Sequence, residues 1–108
     1  MTTKKINEAD WRLYLDKFSA GLDGRRAEVK IVSPKLGSQV QAEWVRLWGL
    51  AYDPKDNVLE VALEGLDHLI QTPVELYVQE GRTGIESLSV RDGEGNQHII
   101  QLRLPVIL

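Results

Sequence analysis

The stretch Ser38–Asp53, "SQVQAEWVRLWGLAYD", is the longest strand-like run in the chain and decides how its sheet is shaped. Apolar residues before Glu43 alternate on one face, whereas those after Trp44, beginning with Val45, alternate on the other. A β-bulge near Glu43–Trp44 would return both sets to one side. Without a bulge, both faces of the strand are apolar. In either case the pattern predicts a central, strongly bent strand.

Shorter alternating runs flank this strand on both sides. "AEVKIVS" precedes it, and "VLEVALE", "PVELYVQE", "IESLSVRD" and "HIIQLRL" follow it. The turn sequences "SPKLG", "DPKDN" and "DGEGN" separate several of these runs. Connections this short cannot carry parallel crossovers, so we expect antiparallel strands in meander-like order.

One helix is predicted ahead of the sheet. Asn7 is a candidate N-cap, and Ile6 and Trp11 stand at the two positions of a hydrophobic staple. The helix should begin at Glu8 and end near Ala20, before a glycine. Its apolar stripe consists of Trp11, Leu15, Phe18 and Leu22.

These elements predict an α+β fold with one N-terminal helix packed on a bent, mostly antiparallel sheet of about six strands. Such a sheet can curl into an open barrel; the alternative is a flatter two-layer arrangement. With 108 residues, 43% of them hydrophobic, the chain fits a single domain over residues 1–108. The apolar C-terminal run "LRLPVIL" should dock on the body or on a second subunit, which allows a homodimer.

Composition excludes several function classes. The chain has no cysteine, so a disulfide framework or thiolate chemistry is impossible, and no apolar run reaches the length of a membrane span. We therefore expect a cytoplasmic protein that does not enter membranes. The formal net charge is −3, and acidic residues outnumber basic ones after residue 30, which counts against nucleic-acid binding. The pair Arg25–Arg26 is interpreted as a solvated strand entrance.

Asp67 and His68, within "GLDHLIQTP", are the strongest candidates for a binding loop. A histidine beside a carboxylate can bind a divalent ion or act as a general base. The structural alternative, which we favour, is that Asp67 caps a single helical turn through "HLI". His98 is interpreted as an ordinary strand-edge residue. No catalytic, cofactor-binding or metal-binding set of residues is predicted.

Trp44 and Trp48 are candidate interface residues. On a regular strand they share a face, with Arg46 between them. Packing beneath the helix, against Trp11 and Phe18, is the interpretation we favour. The alternative is a partner or dimer surface, because tryptophan is enriched at interface hot spots.

Taken together, "LGSQV", "YDPKDNVLEVALEGLDHLIQTP" and "LSVRDGEGNQHIIQLR" resemble domain-of-unknown-function family 5335, small bacterial proteins. The resemblance covers nearly the whole chain and is most specific between Tyr52 and Pro73. It implies a bacterial cytoplasmic origin and no assigned activity, cofactor or partner. It draws attention to Asp53, Pro54, Asp56, Leu66, Asp67, His68 and Pro73 without giving them roles.

The sequence thus favours a non-enzymatic binding or regulatory module that acts through protein contacts. An Sm-like RNA-binding domain is one alternative, because a helix followed by a bent antiparallel sheet resembles that plan. A divalent-metal-binding protein centred on Asp67 and His68 is the other.

Overall fold

The computed structural model describes residues 2–82 and 84–104. Its elements, in chain order, are β1 Thr2–Ile6, a 3₁₀ turn Glu8–Asp10, α1 Trp11–Ala20, β2 Arg26–Ser33, β3 Gly37–Asp53, β4 Val58–Leu63, β5 Leu66–Gln71, β6 Pro73–Gly81, β7 Gly84–Asp92 and β8 Gln97–Arg103. Most of the predicted apolar tail, residues 105–108, lies outside the described residues, so its docking stays a prediction. Among the described residues, no helix is long and apolar enough to cross a membrane.

The eight strands form one antiparallel sheet in the order β1-β6-β7-β8-β2-β3-β4-β5. Two runs of hairpins, β2 to β5 and β6 to β8, join where β8 pairs with β2. β1 and β5 are the edge strands, so the sheet is open and does not close into a barrel. The predicted α+β fold, a helix on a bent antiparallel sheet, is confirmed, with eight strands in place of about six.

The two unpredicted strands gave no clear alternating signal. β1 carries polar side chains along its length, and only Ile6 at its end is buried. An edge strand that makes little contact with the core lacks the alternation of apolar and polar residues by which a strand is recognised in a sequence. β5 lies within "GLDHLIQTP", where the sequence favours a single helical turn.

β3 is bent by bulges, as its sequence predicts. Glu43 and Trp44 together lie opposite the single residue Glu28 of β2. Trp44 has a φ of 54°, a left-handed conformation that a bulge accommodates. The register shifts again next to Trp48. The bend lets the first half of β3 pair with β2 and the second half with β4.

The helix begins later than predicted. Residues from Glu8 form a 3₁₀ turn, the α-helix starts at Trp11, and it ends at Ala20 as expected. Asn7 makes no side-chain capping bond. The two residues of the predicted hydrophobic staple, Ile6 and Trp11, are both buried. They are also joined by a hydrogen bond, which the Trp11 indole Nε1 donates to the Ile6 carbonyl at 2.8 Å.

The helix packs mainly on β3. Trp11 and Leu15 are almost fully buried, and each such side chain contributes about 1.5–3 kcal/mol through removal from water. Further along, the Ser19 hydroxyl binds both the amide and the carbonyl of Leu50, at 2.9 and 2.8 Å. Gly49 permits this approach, since a Cβ there would lie 3.1 Å from the Ser19 oxygen.

Two hairpin turns meet at one end of the sheet. Both "DPKDN", between β3 and β4, and "DGEGN", between β7 and β8, are turns as predicted. Thr72, the single residue between β5 and β6, joins them: its amide donates to Asn57 at 3.0 Å, and its carbonyl accepts from Gly93 at 2.9 Å. This junction turns edge strand β5 toward the inner face of β8.

Candidate functional site

Asp67 and His68 lie on opposite faces of β5. Asp67 is exposed and His68 is buried at 8% exposure. The predicted helical turn capped by Asp67 is wrong, because Leu66–Gln71 pairs residue by residue with β4. Adjacent side chains on a strand point in opposite directions, so the pair cannot supply two ligands to one ion. The structure therefore separates the two residues that the sequence had placed together.

His68 instead meets His98 and, through it, Asp92. His68 Nε2 lies 2.9 Å from His98 Nδ1, and His98 Nε2 lies 2.9 Å from Asp92 Oδ2. All three residues are less than 9% exposed. We call these three residues the buried His–His–Asp network. It links β5 to β8 and to the end of β7, across the inner side of the sheet.

Asp92 is held by the turn that follows it. Its Oδ1 accepts from the amides of Glu94 and Asn96, at 2.9 and 3.0 Å, and its Oδ2 accepts from the Asn96 side chain. Burial raises the pKa of Asp92, but the hydrogen bonds from His98, Asn96 and Glu94 outweigh burial and leave that pKa below its ordinary value. Asp92 is therefore an ionised acceptor at neutral pH.

The ionised carboxylate sets the direction of the hydrogen bonds. Because it only accepts, His98 Nε2 must donate to it. With His98 neutral, its Nδ1 is an acceptor, and His68 Nε2 donates. Burial lowers the pKa of His68 from its ordinary value of 6.5, and the neighbouring His98 ring lowers it further. Both effects therefore favour a neutral ring at His68.

The network can hold one additional proton but not two. If His98 carries the extra proton, His68 can accept through Nε2 after a change of tautomer. If both rings are charged, two N–H groups face each other at 2.9 Å and the bond between the rings is lost. Within the described residues, Arg25 Nε is the only buried side-chain nitrogen or oxygen without a hydrogen-bond partner.

The arrangement resembles the acid–histidine half of a hydrolase triad, but a second histidine stands where a nucleophile would be. No serine or threonine hydroxyl in the described ranges bonds to His68 or His98. The same ranges contain no group of three or more potential ligands that could hold a metal ion. The network can orient and store a proton and can fasten β5 to β8.

Trp44 and Trp48 are not core residues, so the favoured interpretation of packing beneath the helix is wrong. Trp48 is 52% exposed, and Trp44 is half-buried. The successive bulges of β3 break the regular alternation on which that interpretation relied. Arg46 lies over the Trp48 ring at 4.6 Å from its centroid, and Arg103 lies over Trp44 at 3.5 Å.

Three arginines form a row across neighbouring strands. Arg26 of β2 is directly opposite Arg46 of β3 on one side and Arg103 of β8 on the other. Directly opposed residues share a face, so the three guanidinium groups lie beside the two tryptophans. Arg26 also donates to the Trp44 carbonyl at 3.2 Å. We call Arg26, Arg46, Arg103, Trp44 and Trp48 the arginine–tryptophan surface.

Sequence reasoning missed Asp92 and His98 as members of a site. The sequence around His98 indicates an ordinary strand-edge residue, yet His98 is only 5% exposed. A signal existed: each of the three network residues is in phase with the buried apolar residues of its own strand. These neighbours are Leu88 and Val90 for Asp92, Ile100 and Leu102 for His98, and Ile70 for His68.

The fold and these two features define a small α+β protein with an open antiparallel sheet, a buried His–His–Asp network and a cationic, aromatic outer surface. The chain belongs to the family described as "Family of unknown function (DUF5335)", whose model matches residues 2–108. The resemblance read from the sequence is thereby confirmed. An uncharacterized protein of Aquifex aeolicus (strain VF5) is 38% identical over 104 residues, which span 95% of this chain and 94% of that protein. No solved structure matches.

Proposed function

We propose that the protein is a non-enzymatic binding or regulatory module that contacts another protein through the arginine–tryptophan surface. The observation that carries the proposal is the exposure of Trp48, which at 52% leaves a large apolar ring in water beside Arg46. Tryptophan and arginine are the residues most enriched among interface hot spots, where each can contribute 2 kcal/mol or more, in round terms about a thirtyfold change in affinity.

The buried His–His–Asp network is better explained as support than as catalysis. Its two rings bond to one another, and its carboxylate is held by the β7–β8 turn. It fastens edge strand β5 against β8, which keeps the sheet bent around its core. A rigid, bent sheet presents the outer residues of β2, β3 and β8 in one fixed arrangement, which lowers the entropic cost of binding.

Charge favours a different protein over a second copy of this one. In a symmetric dimer built on this surface, the arginine row of one copy would face the arginine row of the other. Like charges brought together at an interface cost several kcal/mol, on the order of 2 or more. A partner with a complementary surface avoids this repulsion.

Site-specific photo-crosslinking in living cells tests the proposal. The full chain carries p-benzoylphenylalanine at position 48 in one version and at position 69 in the matched control. Leu69 is 51% exposed, close to the 52% of Trp48, but it lies on β5 away from the arginine row. We expect one partner protein to be crosslinked from position 48 and not from position 69. Its purified form should then bind the full chain, with affinity lowered about tenfold or more by Trp48→Ala.

Equal crosslinking from both positions, or none from position 48, would contradict the proposal. A crosslink between two copies, together with a dimer mass in size-exclusion chromatography with light scattering, would assign the surface to a homodimer and refute a different partner.

An Sm-like RNA-binding domain is the second candidate, and one observation favours it. Arginines beside exposed aromatic rings also bind single-stranded RNA, through phosphates and stacked bases. Fluorescence anisotropy with a ten-nucleotide oligouridine at low and moderate salt tests this candidate. Binding that weakens steeply with salt would support it, and no binding at low salt would remove it.

A further inference from the structure

The arginine row is costly to the folded protein. Arg26 has a like charge directly opposite on each side, and like charges in directly opposed positions destabilise a sheet. Within the part of the chain that the structure describes, none of the three arginines forms a salt bridge. The nearest carboxylate along β2, Glu28, pairs with Lys30 at 3.5 Å. A sheet that tolerates such a row without neutralising it presents an unsatisfied cationic surface.

The tryptophans hold two of the guanidinium groups in place. The central guanidinium carbon of Arg103 lies over the Trp44 ring, and that of Arg46 lies over the Trp48 ring. A guanidinium held over an aromatic ring can still direct its N–H groups to the two oxygens of a carboxylate. The rings are thus used as supports for cations, which leaves less of their surface for stacking bases.

We infer that the arginine–tryptophan surface binds an acidic segment of the partner protein, with the carboxylates of neighbouring Asp or Glu side chains bridging Arg26, Arg46 and Arg103. This inference rests on the proposed function and names the chemistry of its partner. Neighbouring strands lie roughly 4.8 Å apart, so the row spans about 10 Å. That length matches an extended acidic segment of about four residues.

An acidic peptide fits better than a long nucleic acid. The whole chain has a net charge of −3, and acidic residues outnumber basic ones after residue 30. A nucleic acid that extended past the row would run over a surface of its own charge sign. A short acidic segment can end where the cationic surface ends.

Fluorescence anisotropy with fluorescein-labelled hexaglutamate tests the inference on the full chain. We expect hexaglutamate to bind at low salt and hexalysine not to bind. The triple variant Arg26→Gln, Arg46→Gln, Arg103→Gln should weaken hexaglutamate binding about tenfold or more, because it removes every bidentate contact.

A matched variant controls for overall charge. Lys35→Gln, Lys55→Gln and Arg82→Gln remove three positive charges from exposed positions outside the arginine row. We expect this control to bind hexaglutamate nearly as the unmodified chain does. If both triple variants weakened hexaglutamate binding equally, net charge alone would explain the loss of binding, and the inference would be overturned.

Stability gives an independent readout. A purely structural role for Arg26 predicts that Arg26→Gln lowers the melting temperature. The inference predicts an unchanged or higher melting temperature together with weaker hexaglutamate binding, because the substitution removes two like-charge contacts. A lowered melting temperature with unchanged binding would refute it.

The remaining outcomes separate the two proposals. If position 48 crosslinks a partner but hexaglutamate does not bind, the acidic chemistry is refuted and the proposed function stands. If the oligouridine binds and depends on the three arginines while hexaglutamate does not bind, the surface is assigned to RNA and both proposals fail.

Discussion

Replacing Asp92 with alanine removes the carboxylate that anchors the buried network. Asp92 accepts four hydrogen bonds, two from backbone amides of its own turn, one from Asn96 Nδ2 and one from His98 Nε2. In the variant, water can replace the turn bonds near the surface. It cannot easily reach His98 Nε2, because the His98 side chain is 6% exposed.

The expected loss in the free energy of unfolding depends on whether each lost hydrogen bond is buried or open to water. Losing a buried bond to an ionised partner costs about 1.5–3 kcal/mol, and each solvent-replaceable turn bond costs about 0.5 kcal/mol. We therefore expect Asp92→Ala to lower the free energy of unfolding by about 3 kcal/mol. For a domain of this size, such a loss corresponds to a decrease in melting temperature of roughly 15 °C.

Asp53→Ala is the matched control. Asp53 begins the other hairpin turn and accepts one exposed bond from the Lys55 amide at 3.0 Å. Its removal should cost about 0.5 kcal/mol. Urea unfolding at pH 7.5, followed by tryptophan fluorescence, measures both variants. Equal losses for Asp92→Ala and Asp53→Ala would refute the idea that the network stabilises the fold.

Asp92→Asn tests the direction of the hydrogen bonds. An asparagine amide can donate to His98 Nε2, provided that His98 and His68 both change tautomer and Asn96 turns its amide over. We expect a smaller loss than for Asp92→Ala and reversed tautomers in ¹⁵N NMR spectra of the two rings. Unchanged tautomers would contradict the assigned direction.

Three further predictions concern other contacts. The pKa of His68 is lowered from 6.5 in the folded state, so near and below pH 6.5 the folded protein binds fewer protons than the unfolded chain. The free energy of unfolding should therefore decrease from pH 7 to pH 5, and His68→Gln should flatten this decrease in urea titrations. Ser19→Ala should lower the free energy of unfolding by about 1–2 kcal/mol in the same assay, because the amide and carbonyl of Leu50 both lose their partner. Glu75, whose hydrogen bond from Arg91 is the main reason that its pKa is lowered to about 2, should titrate near that value in carboxyl ¹³C NMR, and Arg91→Gln should raise it.

The strongest sequence predictions were those that local chemistry decides. The β3 bulge follows from the switch of apolar face at Trp44, and the helix end at Ala20 follows from the glycine after it. The two hairpin turns follow from proline, glycine and Asp or Asn at fixed positions. Each of these depends on residues that are close together in the chain.

Predictions failed where a residue's environment comes from distant strands. Nothing near Asp67 or His68 indicates that β5 pairs with β4, since the run is short and only two of its side chains are buried. Trp44 and Trp48 were placed in the core because regular alternation was assumed, and the bulges of β3 changed which way they face. His98 was judged alone, without the carboxylate six residues before it.

The sequence by itself determined the fold class, the bent central strand and the family, because these depend on periodicity and turn chemistry within short segments. Only the tertiary structure brought His68 to His98, which lie 30 residues apart on strands that are not neighbours in the sheet. It also aligned Arg26, Arg46 and Arg103, whose register arises from pairing between three strands. Strand pairing is a long-range property, since each strand can form its backbone hydrogen bonds with many others, and the packed core selects the register.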